Sequence, residues 1–333
     1  MNIGIIGYGY WGPNLLRNLA EIADTTVTWC VDQRPDRRAL AHRRYPALQV
    51  SDNANTVLND PAVDAVVIAT PVSTHYPLAK RALECGKHVF VEKPMTGSVA
   101  EAEELVALAQ QQGRLLMVDH TFIYTGAVRK MKEIVAAGNV GDIYYFDSVR
   151  VNLGLFQHDT DVLWDLAPHD LSILTHLIPE MPKYVTAIGA DHTGSGLADV
   201  AYMTVQYANN LLAHFHVNWL SPVKIRQILI GGTKQMLVYD DIQLTEKLRV
   251  YDRGINVTTK EGIYKTLVDY RTGDMWAPKL EVREALSFEC EHFIDCLRTG
   301  KTPWSDGVAG LAVVRLLAAA SQSLANQGQR VAV

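Results

Sequence analysis

A glycine-rich turn between a strand and a helix, at the start of the sequence, restricts the fold most strongly. An apolar run at residues 3–7 leads into the pattern G-x-G-x-x-G at residues 7–12, and an amphipathic stretch at residues 13–22 follows. The short apolar run is typical of a buried strand, whereas apolar positions 15, 16, 19 and 22 share one face of a helix. This order predicts the first βα turn of a Rossmann-type domain.

Strands and helices continue to alternate up to residue 121. Apolar runs at residues 26–32, 65–71, 88–94 and 115–120 predict four more strands, and helical patterns lie between them, for example at residues 76–85 and 98–112. This alternation implies right-handed βαβ crossovers and a parallel sheet with helices on both faces. We therefore predict an α/β Rossmann domain over residues 1–121.

The pattern changes after residue 121. A helix at about 125–137 is followed by a long strand at 142–151, a short helix at 168–178 and five strand-like runs between 183 and 240. Asn209-Asn210 and Gly231-Gly232 lie between pairs of these runs and indicate hairpin turns. Helices return at 281–298 and about 306–327. Residues 122–333 are therefore predicted to form an α+β domain on a largely antiparallel sheet.

Charge and hydropathy argue against several classes of protein. The formal net charge is -5 and no basic block occurs, which disfavours a nucleic-acid or anionic-membrane partner. The apolar stretch at residues 311–320 is interrupted by Arg315, and no basic leader precedes the first apolar run. These features favour a cytoplasmic protein without a membrane segment.

The side chains that could hold a metal are poorly placed for it. Cys290 and His292 point about 200° apart on a helix, and the four cysteines lack C-x-x-C spacing, so free thiols are expected. His214, His216 and Asn218 alternate along one strand face, which fits a subunit interface better than a metal site. No metal is predicted.

The glycine-rich turn predicts a dinucleotide site. Gly7 permits the tight turn, Gly9 lets the backbone approach a pyrophosphate, and Gly12 lets the helix pack against the strand. Asp32 ends the second strand, where a carboxylate accepts hydrogen bonds from ribose hydroxyls and repels a 2′-phosphate. This favours NAD, although arginines at positions 34, 37 and 38 leave NADP as a minor alternative.

Two further motifs suggest a reaction centre. Lys93, in Glu92-Lys93-Pro94, ends a very apolar strand at the sheet edge where ligands bind, and its bond to the proline can be cis. A solvated strand end explains this motif alone about equally well.

The second motif contains Asp165 and His169. If a helix begins here, these two side chains share one face, and Pro168 lies in the first turn, where proline is tolerated. The alternative is an N-cap aspartate followed by an incidental histidine.

These motifs, in their order and spacing, resemble the glucose–fructose oxidoreductase / inositol dehydrogenase family (Gfo/Idh/MocA) over essentially the whole chain. Besides G-x-G-x-x-G, E-K-P and D-x-x-x-H, the resemblance includes A-T-P-x-x-x-H at residues 69–75. It implies that the C-terminal sheet is open-faced and joins subunits into homodimers or homotetramers. It also implies that Lys93, Asp165 and His169 are the catalytic residues.

Cofactor and substrate contacts follow from the motifs and the resemblance together. Contacts to NAD are predicted at Gly7, Gly9, Tyr10, Trp11, Gly12, Asp32, Thr70, Pro71, His75, Glu92, Lys93 and His120. Substrate contacts are predicted at Lys93, Tyr124, Arg150, Asn152, Asp165 and His169, and His158 is a further candidate. A structural role is left open for residues 124, 150, 152 and 158.

Oxidation of a secondary alcohol is the chemistry that these residues support. The nicotinamide accepts a hydride. His169 suits the general base, because the ordinary pKa of an imidazole, about 6.5, lies near the working pH. Lys93 would stabilise charge on the reacting oxygen, and Asp165 would orient His169 or bind a neighbouring hydroxyl.

The expected protein is an NAD-dependent dehydrogenase acting on a CH–OH group of a cyclic polyol. The resemblance suggests the 3-hydroxyl of a nucleotide-linked amino sugar, such as UDP-N-acetylglucosamine or its uronate. A free-sugar or inositol dehydrogenase is the nearest alternative. A non-catalytic NAD-binding regulator and a glycosidase that oxidises its substrate transiently are the other classes left open.

Overall fold

The computed structural model describes residues 1–154, 160–252, 254–256 and 269–333. The chain divides into two compact units. The first unit contains residues 1–124 and 283–315, and the second contains residues 125–282 and 316–333. His158 lies outside the described residues.

Six short strands form the sheet of the first unit. They are β1 (Asn2–Ile6), β2 (Thr26–Val31), β3 (Gln49–Ser51), β4 (Ala65–Ile68), β5 (His88–Glu92) and β6 (Leu116–Asp119). Their order is β3-β2-β1-β4-β5-β6, and every pairing is parallel. This is the doubly wound order of a Rossmann domain, with a topological switch point between β1 and β4, so the predicted fold of this region is confirmed.

Helices connect these strands. They are α1 (Gly12–Ala20), α2 (Pro35–Arg44), α3 (Ala54–Leu58), α4 (His75–Glu84) and α5 (Val99–Gln112), with 3-10 turns at Val72–Thr74 and Thr121–Tyr124. The sequence analysis predicted α1, α4 and α5 but missed α2, α3 and β3. The missed elements have weak apolar patterns: α2 buries Ala41 alone among its residues, and α3 and β3 are very short.

Residues 283–315 pack with the first unit, which differs from the predicted division at residue 121. Glu284 accepts hydrogen bonds from Arg17 at 2.6 Å and Asn18 at 3.2 Å on α1. The Val118 N–H donates to the Ser305 carbonyl at 2.8 Å, which extends the pairing of β6. Helix α8 (Ala285–Thr299) and the first part of α9 (Gly307–Ala325) thus return to the first unit after the second sheet. Such a return is invisible in a linear pattern.

The second unit is built on a larger, mixed sheet. Its described strands are β7 (Ile143–Leu153), β8 (Tyr184–Ala190), β9 (Val200–Gln206), β10 (Leu212–Asn218), β11 (Leu220–Gly232), β12 (Met236–Asp240), β13 (Leu248–Tyr251), β14 (Gly254–Asn256), β15 (Asp269–Arg271), β16 (Met275–Trp276) and β17 (Val331–Ala332). Among the described residues, nine of them form one sheet in the order β16-β13-β12-β11-β7-β10-β9-β8-β17, and β14 pairs with β15. All pairings in the nine-stranded sheet are antiparallel except β10 with β7, which confirms the predicted largely antiparallel sheet.

Two helices of the second unit lie between residues 125 and 180. They are α6 (Gly126–Ala136) and α7 (Val162–Leu177). The prediction that α7 begins near residue 168 was wrong. Asp161 is the N-cap and accepts from the Trp164 N–H at 3.0 Å, so Pro168 lies inside the helix and not in its first turn. Pro168 was expected in the first turn, where proline is tolerated, and the capping aspartate seven residues earlier was missed.

Helix α9 is the one described helix that is long and apolar enough, by length and composition, to cross a membrane. Half of its apolar window is buried inside the protein, and Arg315 within it forms an ion pair with Glu103 at 2.8 Å. This burial is what a core helix of a folded protein shows.

Candidate active site

The glycine-rich turn has the close packing that glycine makes possible. Gly7 has φ +99°, and a Cβ there would lie 2.2 Å from the Ala69 carbonyl oxygen. A Cβ on Gly12 would lie 2.1 Å from the Gly7 carbonyl oxygen. Neither position accepts a side chain, so the turn and α1 hold their close approach only with glycine.

Gly9 and the first turn of α1 leave space for a phosphate group. A Cβ on Gly9 would meet nothing nearer than Arg34 at 3.8 Å. Trp11 caps α1 without a side-chain hydrogen bond, and the rings of Tyr10 and Trp11 are exposed. Pro13 has no N–H, and the Asn14 N–H already donates to the Trp11 carbonyl oxygen at 2.8 Å, so the open space at Gly9 and the positive end of α1 are what fit the pyrophosphate of a dinucleotide.

Asp32 lies beside this turn, just after β2. Its Oδ2 accepts from the Tyr8 N–H at 2.8 Å and its Oδ1 from the Arg34 N–H at 2.9 Å. Partial burial raises the pKa of Asp32, but these N–H donors outweigh it, and the net pKa lies below the ordinary value. Oδ1 also accepts from the Arg34 Nε–H at 3.4 Å, so Oδ2 is the oxygen that keeps a second lone pair for the ribose hydroxyls of NAD.

His75 links the ends of two neighbouring strands. Its Nε2 lies 2.8 Å from the Thr70 carbonyl oxygen after β4, and its Nδ1 lies 2.9 Å from the Pro94 carbonyl oxygen after β5. Burial lowers the pKa of His75, which the two carbonyl partners partly offset. The imidazole is 1% exposed, and the Lys93–Pro94 bond beside it is cis, as the sequence allowed. His75 thus supports the backbone next to Lys93. Thr74 packs near Pro71 and donates to its carbonyl oxygen at 2.7 Å.

Lys93 follows β5 at the carboxyl edge of the parallel sheet, and three titratable groups near it favour their neutral forms. Burial, together with the charge of Lys93, lowers the pKa of His120 to about 3. Burial lowers the pKa of His75 and raises that of Glu92 well above its ordinary value. The ammonium therefore lies in surroundings that hold little other positive charge, at the sheet edge where doubly wound domains bind ligands.

In the second unit, Asp165 and His169 lie one turn apart on α7 and are half-buried. The helix places them on one face, as predicted. The Trp219 indole donates to Asp165 Oδ2 at 3.0 Å. Trp219 is 1% exposed, so this bond holds the Asp165 carboxylate in one orientation. This contact joins residues 54 positions apart in the chain and was not predicted from the sequence.

Arg150 corrects a predicted substrate contact. Its guanidinium is 3% exposed and forms a two-pronged ion pair with Asp170, at 2.9 Å and 2.7 Å. Ser148 also donates to Asp170, at 2.8 Å. These bonds fasten α7 to β7, and Arg150 is structural. Asn152 lies on the same face of β7, two residues further on, and remains half-exposed as a substrate candidate.

Tyr124 is a second correction. Its side chain is 1% exposed within the first unit. Its hydroxyl bonds to His292 at 3.0 Å and Ser305 at 3.1 Å, and its ring stacks on Trp304 with centroids 5.3 Å apart. These partners surround Tyr124, so its role is packing and not substrate contact.

The sequence analysis also missed two buried carboxyl groups near Lys93. Asp119 ends β6 and is 4% exposed, and Glu289 lies on α8 and is 0% exposed. A signal existed for Glu289, because Leu286, Glu289 and Phe293 follow helical spacing on a face that is otherwise apolar. A carboxyl on such a face deserves a functional explanation.

The sheet order, the glycine-rich turn and Asp32 define an NAD-binding Rossmann oxidoreductase as the class of protein. The comparisons with known proteins agree. Residues 1–120 match the family model described as an oxidoreductase family with an NAD-binding Rossmann fold, and residues 128–238 match the Gfo/Idh/MocA C-terminal domain. The chain belongs to the Gfo/Idh/MocA oxidoreductase family, and the predicted family and cofactor are confirmed.

Several relatives show which activities the family contains. The oxidoreductase YdgJ of Escherichia coli is 36% identical over 70% of this chain and 69% of its own length. UDP-N-acetylglucosamine 3-dehydrogenase of Acidithiobacillus ferrooxidans is 28% identical over 97% of this chain and 96% of its own length. A solved structure of that enzyme superposes with a TM-score of 0.83 over 99% of both chains. The NADP-dependent scyllo-inositol 2-dehydrogenase of Bacillus subtilis is 27% identical over 70% of this chain and 63% of its own length.

Proposed function

We propose that this protein oxidises the 3-hydroxyl of a nucleotide-linked amino sugar, UDP-N-acetylglucosamine or its uronate, with NAD as the hydride acceptor. The observation that carries the proposal is that polar side chains on helix α7 lie in two different environments. Asp170 is tied to Arg150 in the core, whereas Asp165 and His169 stay half-buried on one face with Asp165 oriented by Trp219. A carboxylate and an imidazole kept accessible in this way suit acid–base chemistry.

Three side chains have separate roles in the proposed reaction. His169 takes the proton of the substrate hydroxyl, and Asp165 orients the imidazole or binds a neighbouring hydroxyl. Lys93 donates to the reacting oxygen and stabilises the negative charge that grows on it. When bound, the nicotinamide of NAD accepts the hydride from the carbinol carbon. The residues that would hold NAD are the glycine-rich turn and Asp32, with support from residues 70–75, Glu92 and His120.

The choice of substrate rests on similarity across the full length. The nucleotide-sugar dehydrogenase is 28% identical over 97% of this chain, whereas the two inositol dehydrogenases of Bacillus subtilis are 27% identical over 70% and 25% identical over 90%. The nucleotide-sugar enzyme is thus the one of the three with both the highest identity and the longest alignment. An inositol or free-sugar dehydrogenase is the alternative, and its similarity of 27% over the shared region is what supports it.

Subunit contact through the second sheet is part of the same proposal. Tyr202, His214 and His216 lie on one face of β9 and β10, and Tyr202 stacks on His216 with centroids 4.5 Å apart. Tyr202 is 40% exposed, which is unusual for a large aromatic side chain in a sheet. We infer a homodimer or homotetramer through this face. Measuring the molar mass of the wild type and of Tyr202→Glu in solution tests this inferred assembly.

A panel of substrates tests the proposed reaction. Formation of NADH is followed with UDP-N-acetylglucosamine, its uronate, N-acetylglucosamine and scyllo-inositol at equal concentrations. The expected result is the highest kcat/KM with a UDP-sugar. A preference for scyllo-inositol would establish the alternative, and sugar release without net NADH would point to a glycosidase.

Variants of the proposed catalytic residues test whether the protein is an enzyme or a regulator. Lys93→Ala and His169→Ala should each lower kcat about 10²–10⁴-fold, the usual contribution of one positioned acid or base, and His169→Ala should leave the NAD affinity almost unchanged. The exposed His42→Ala on α2 is the matched control and should keep full activity. Unchanged turnover in both catalytic variants would contradict the enzyme assignment.

A further inference from the structure

Three carboxyl side chains lie together at the carboxyl edge of the first sheet. Glu92 and Asp119 are register partners on the neighbouring parallel strands β5 and β6, so their side chains leave the sheet on the same face. Glu289 approaches them from α8. The three residues are 8%, 4% and 0% exposed, so water contributes almost nothing to their solvation.

Several oxygens of these three carboxyl groups have no hydrogen-bond donor among the described residues. The Thr121 hydroxyl donates to Asp119 Oδ1. Among the described residues, Glu92 Oε1 and both oxygens of Glu289 accept no hydrogen bond. A carboxylate only accepts, so two facing carboxylates cannot bond to each other. A proton on one of them supplies the missing donor.

Burial favours keeping such protons. Burial, followed by the charge of Asp119, raises the pKa of Glu92 well above its ordinary value. Burial and the charge of Asp119 do the same for Glu289. Two of the three groups therefore hold protons at pH values at which an exposed glutamate is ionised.

Lys93 connects the trio to the proposed reaction. It follows Glu92 in the chain, and its backbone N–H donates to Glu92 Oε2 at 3.3 Å. The charge of its ammonium lowers the pKa of Glu92, against the larger effect of burial. Loss of that positive charge would therefore favour a proton on Glu92, and its return would favour release.

Other charged and titratable groups also face the trio or Lys93. They are His75 on α4, His120 after β6, Tyr124 in the 3-10 turn, Cys290 on α8, and Arg17 and Glu284 beside Cys290. Burial moves the pKa of His75, His120, Tyr124 and Cys290 towards their neutral forms. Because these four groups favour their neutral forms, the three carboxyl groups are, among the groups named here, the ones that can exchange a proton near Lys93.

We propose that Glu92, Asp119 and Glu289 form a proton-sharing trio that responds to the charge on Lys93, and that Glu289 is a positioning residue for the dehydrogenase reaction. This inference rests on the proposed function. A trio of this kind can change its own charge by one proton, and so it sets how far the Lys93 ammonium is balanced while it donates a hydrogen bond to the reacting oxygen. Glu289 acts through Glu92 and Lys93 and does not touch the substrate.

The first test needs no turnover. A carboxyl that keeps its proton on folding stabilises the folded state below its unfolded pKa of about 4.3, and that contribution is lost as pH rises towards the folded pKa. The unfolding constant of the wild type should therefore rise about tenfold per pH unit for each retained proton, from about pH 5 up to the raised folded pKa of Glu92 and Glu289. Glu289→Gln should remove one such factor. The control Glu291→Gln, an exposed position on the same helix, should not.

The second test measures the pH profile of kcat with the best substrate from the panel. Glu289→Gln should shift one limb of the profile by about one pH unit, which is tenfold in kcat on that limb, with KM within about twofold. A purely structural residue would change activity equally at every pH. Glu291→Gln should match the wild type.

The outcomes separate this proposal from the function on which it rests. A pH slope of unfolding that is the same in Glu289→Gln and the wild type overturns the trio. A changed slope with an unchanged kcat profile overturns the positioning role. Absence of sugar oxidation by the wild type defeats the proposed function and the positioning role, while the slope still decides the trio. If Glu289→Gln does not fold, infrared spectra of the wild type decide: loss of the protonated-carboxyl band by neutral pH overturns the proposal.

Discussion

The two units of this protein each bury carboxyl groups, but they neutralise them differently. In the second unit, Asp170 is 2% exposed and carries a bidentate arginine, Arg150, and a serine donor. In the first unit, Glu92, Asp119 and Glu289 lie together with one hydroxyl donor for Asp119, and protons take the place of a counter-ion.

This difference explains what each arrangement is suited to. An ion pair with two-pronged geometry holds two elements in one position, since either charge alone would be very costly to bury. It therefore serves as the attachment of α7 to β7. A set of carboxyls that share protons can change its charge without moving atoms far, which suits a place beside a reacting group.

The largest expected effect is at the ion pair. Asp170→Asn removes the bidentate carboxylate from the buried Arg150 guanidinium, so the free energy of unfolding should fall by about 3–5 kcal/mol. Urea denaturation at neutral pH measures this. The double variant Asp170→Asn/Arg150→Met removes both charges and should recover most of the loss. A single-variant loss below about 1 kcal/mol would mean that the ion pair does not fasten the helix.

Asp32 is a carboxyl of a third kind, because it accepts from two backbone N–H groups and from Arg34 Nε and keeps room on Oδ2 for a ligand, and its expected effect is intermediate. Asp32→Asn removes a negative charge that would repel a 2′-phosphate, so the preference for NADH over NADPH should fall by about 1–4 kcal/mol. Fluorescence titration with both dinucleotides measures the two affinities. The exposed Asp36→Asn is the control. An unaltered preference would show that Asp32 does not face the ribose.

The smallest effect is expected from the same carboxyl-to-amide change at Glu289. An amide resembles a protonated carboxyl in volume and polarity, so at about pH 5 the free energy of unfolding should change by less than about 1 kcal/mol. Because the raised folded pKa destabilises the wild type as pH rises, Glu289→Gln should be the more stable protein at about pH 8. A loss of several kcal/mol at both pH values would make Glu289 equivalent to Asp170 and remove the contrast.

Much of the fold was predictable because it depends on local patterns. Five of the six strands of the first sheet, the glycine-rich turn and strands β7–β12 of the second sheet were identified correctly, whereas β3 and β13–β17 were not. Boundaries were missed where a polar residue set them, as at Asp161, and elements were missed where burial was slight, as in α2. Local pattern carries no information about long-range packing, so the return of residues 283–315 to the first unit was missed too.

The candidate site was less predictable than the fold. Gly7, Gly12 and Asp32 follow from what a dinucleotide demands of a βα turn. Tyr124 and Arg150 were assigned to the substrate because polar side chains near a reaction centre suggest contact, yet each is enclosed by partners distant in sequence, such as His292 and Asp170.

By itself, the sequence determined the strand–helix order, the phosphate-binding turn and the residue types available for oxidising an alcohol, because each depends on neighbours within a few positions. The tertiary structure alone decided which polar groups lose their water and what replaces it. Glu289 and Asp119 are 170 residues apart in the chain, and Arg150 and Asp170 are 20 apart. Whether a carboxyl meets an arginine, a proton or a ligand is set by such long-range contacts, since desolvation depends on everything that surrounds the group.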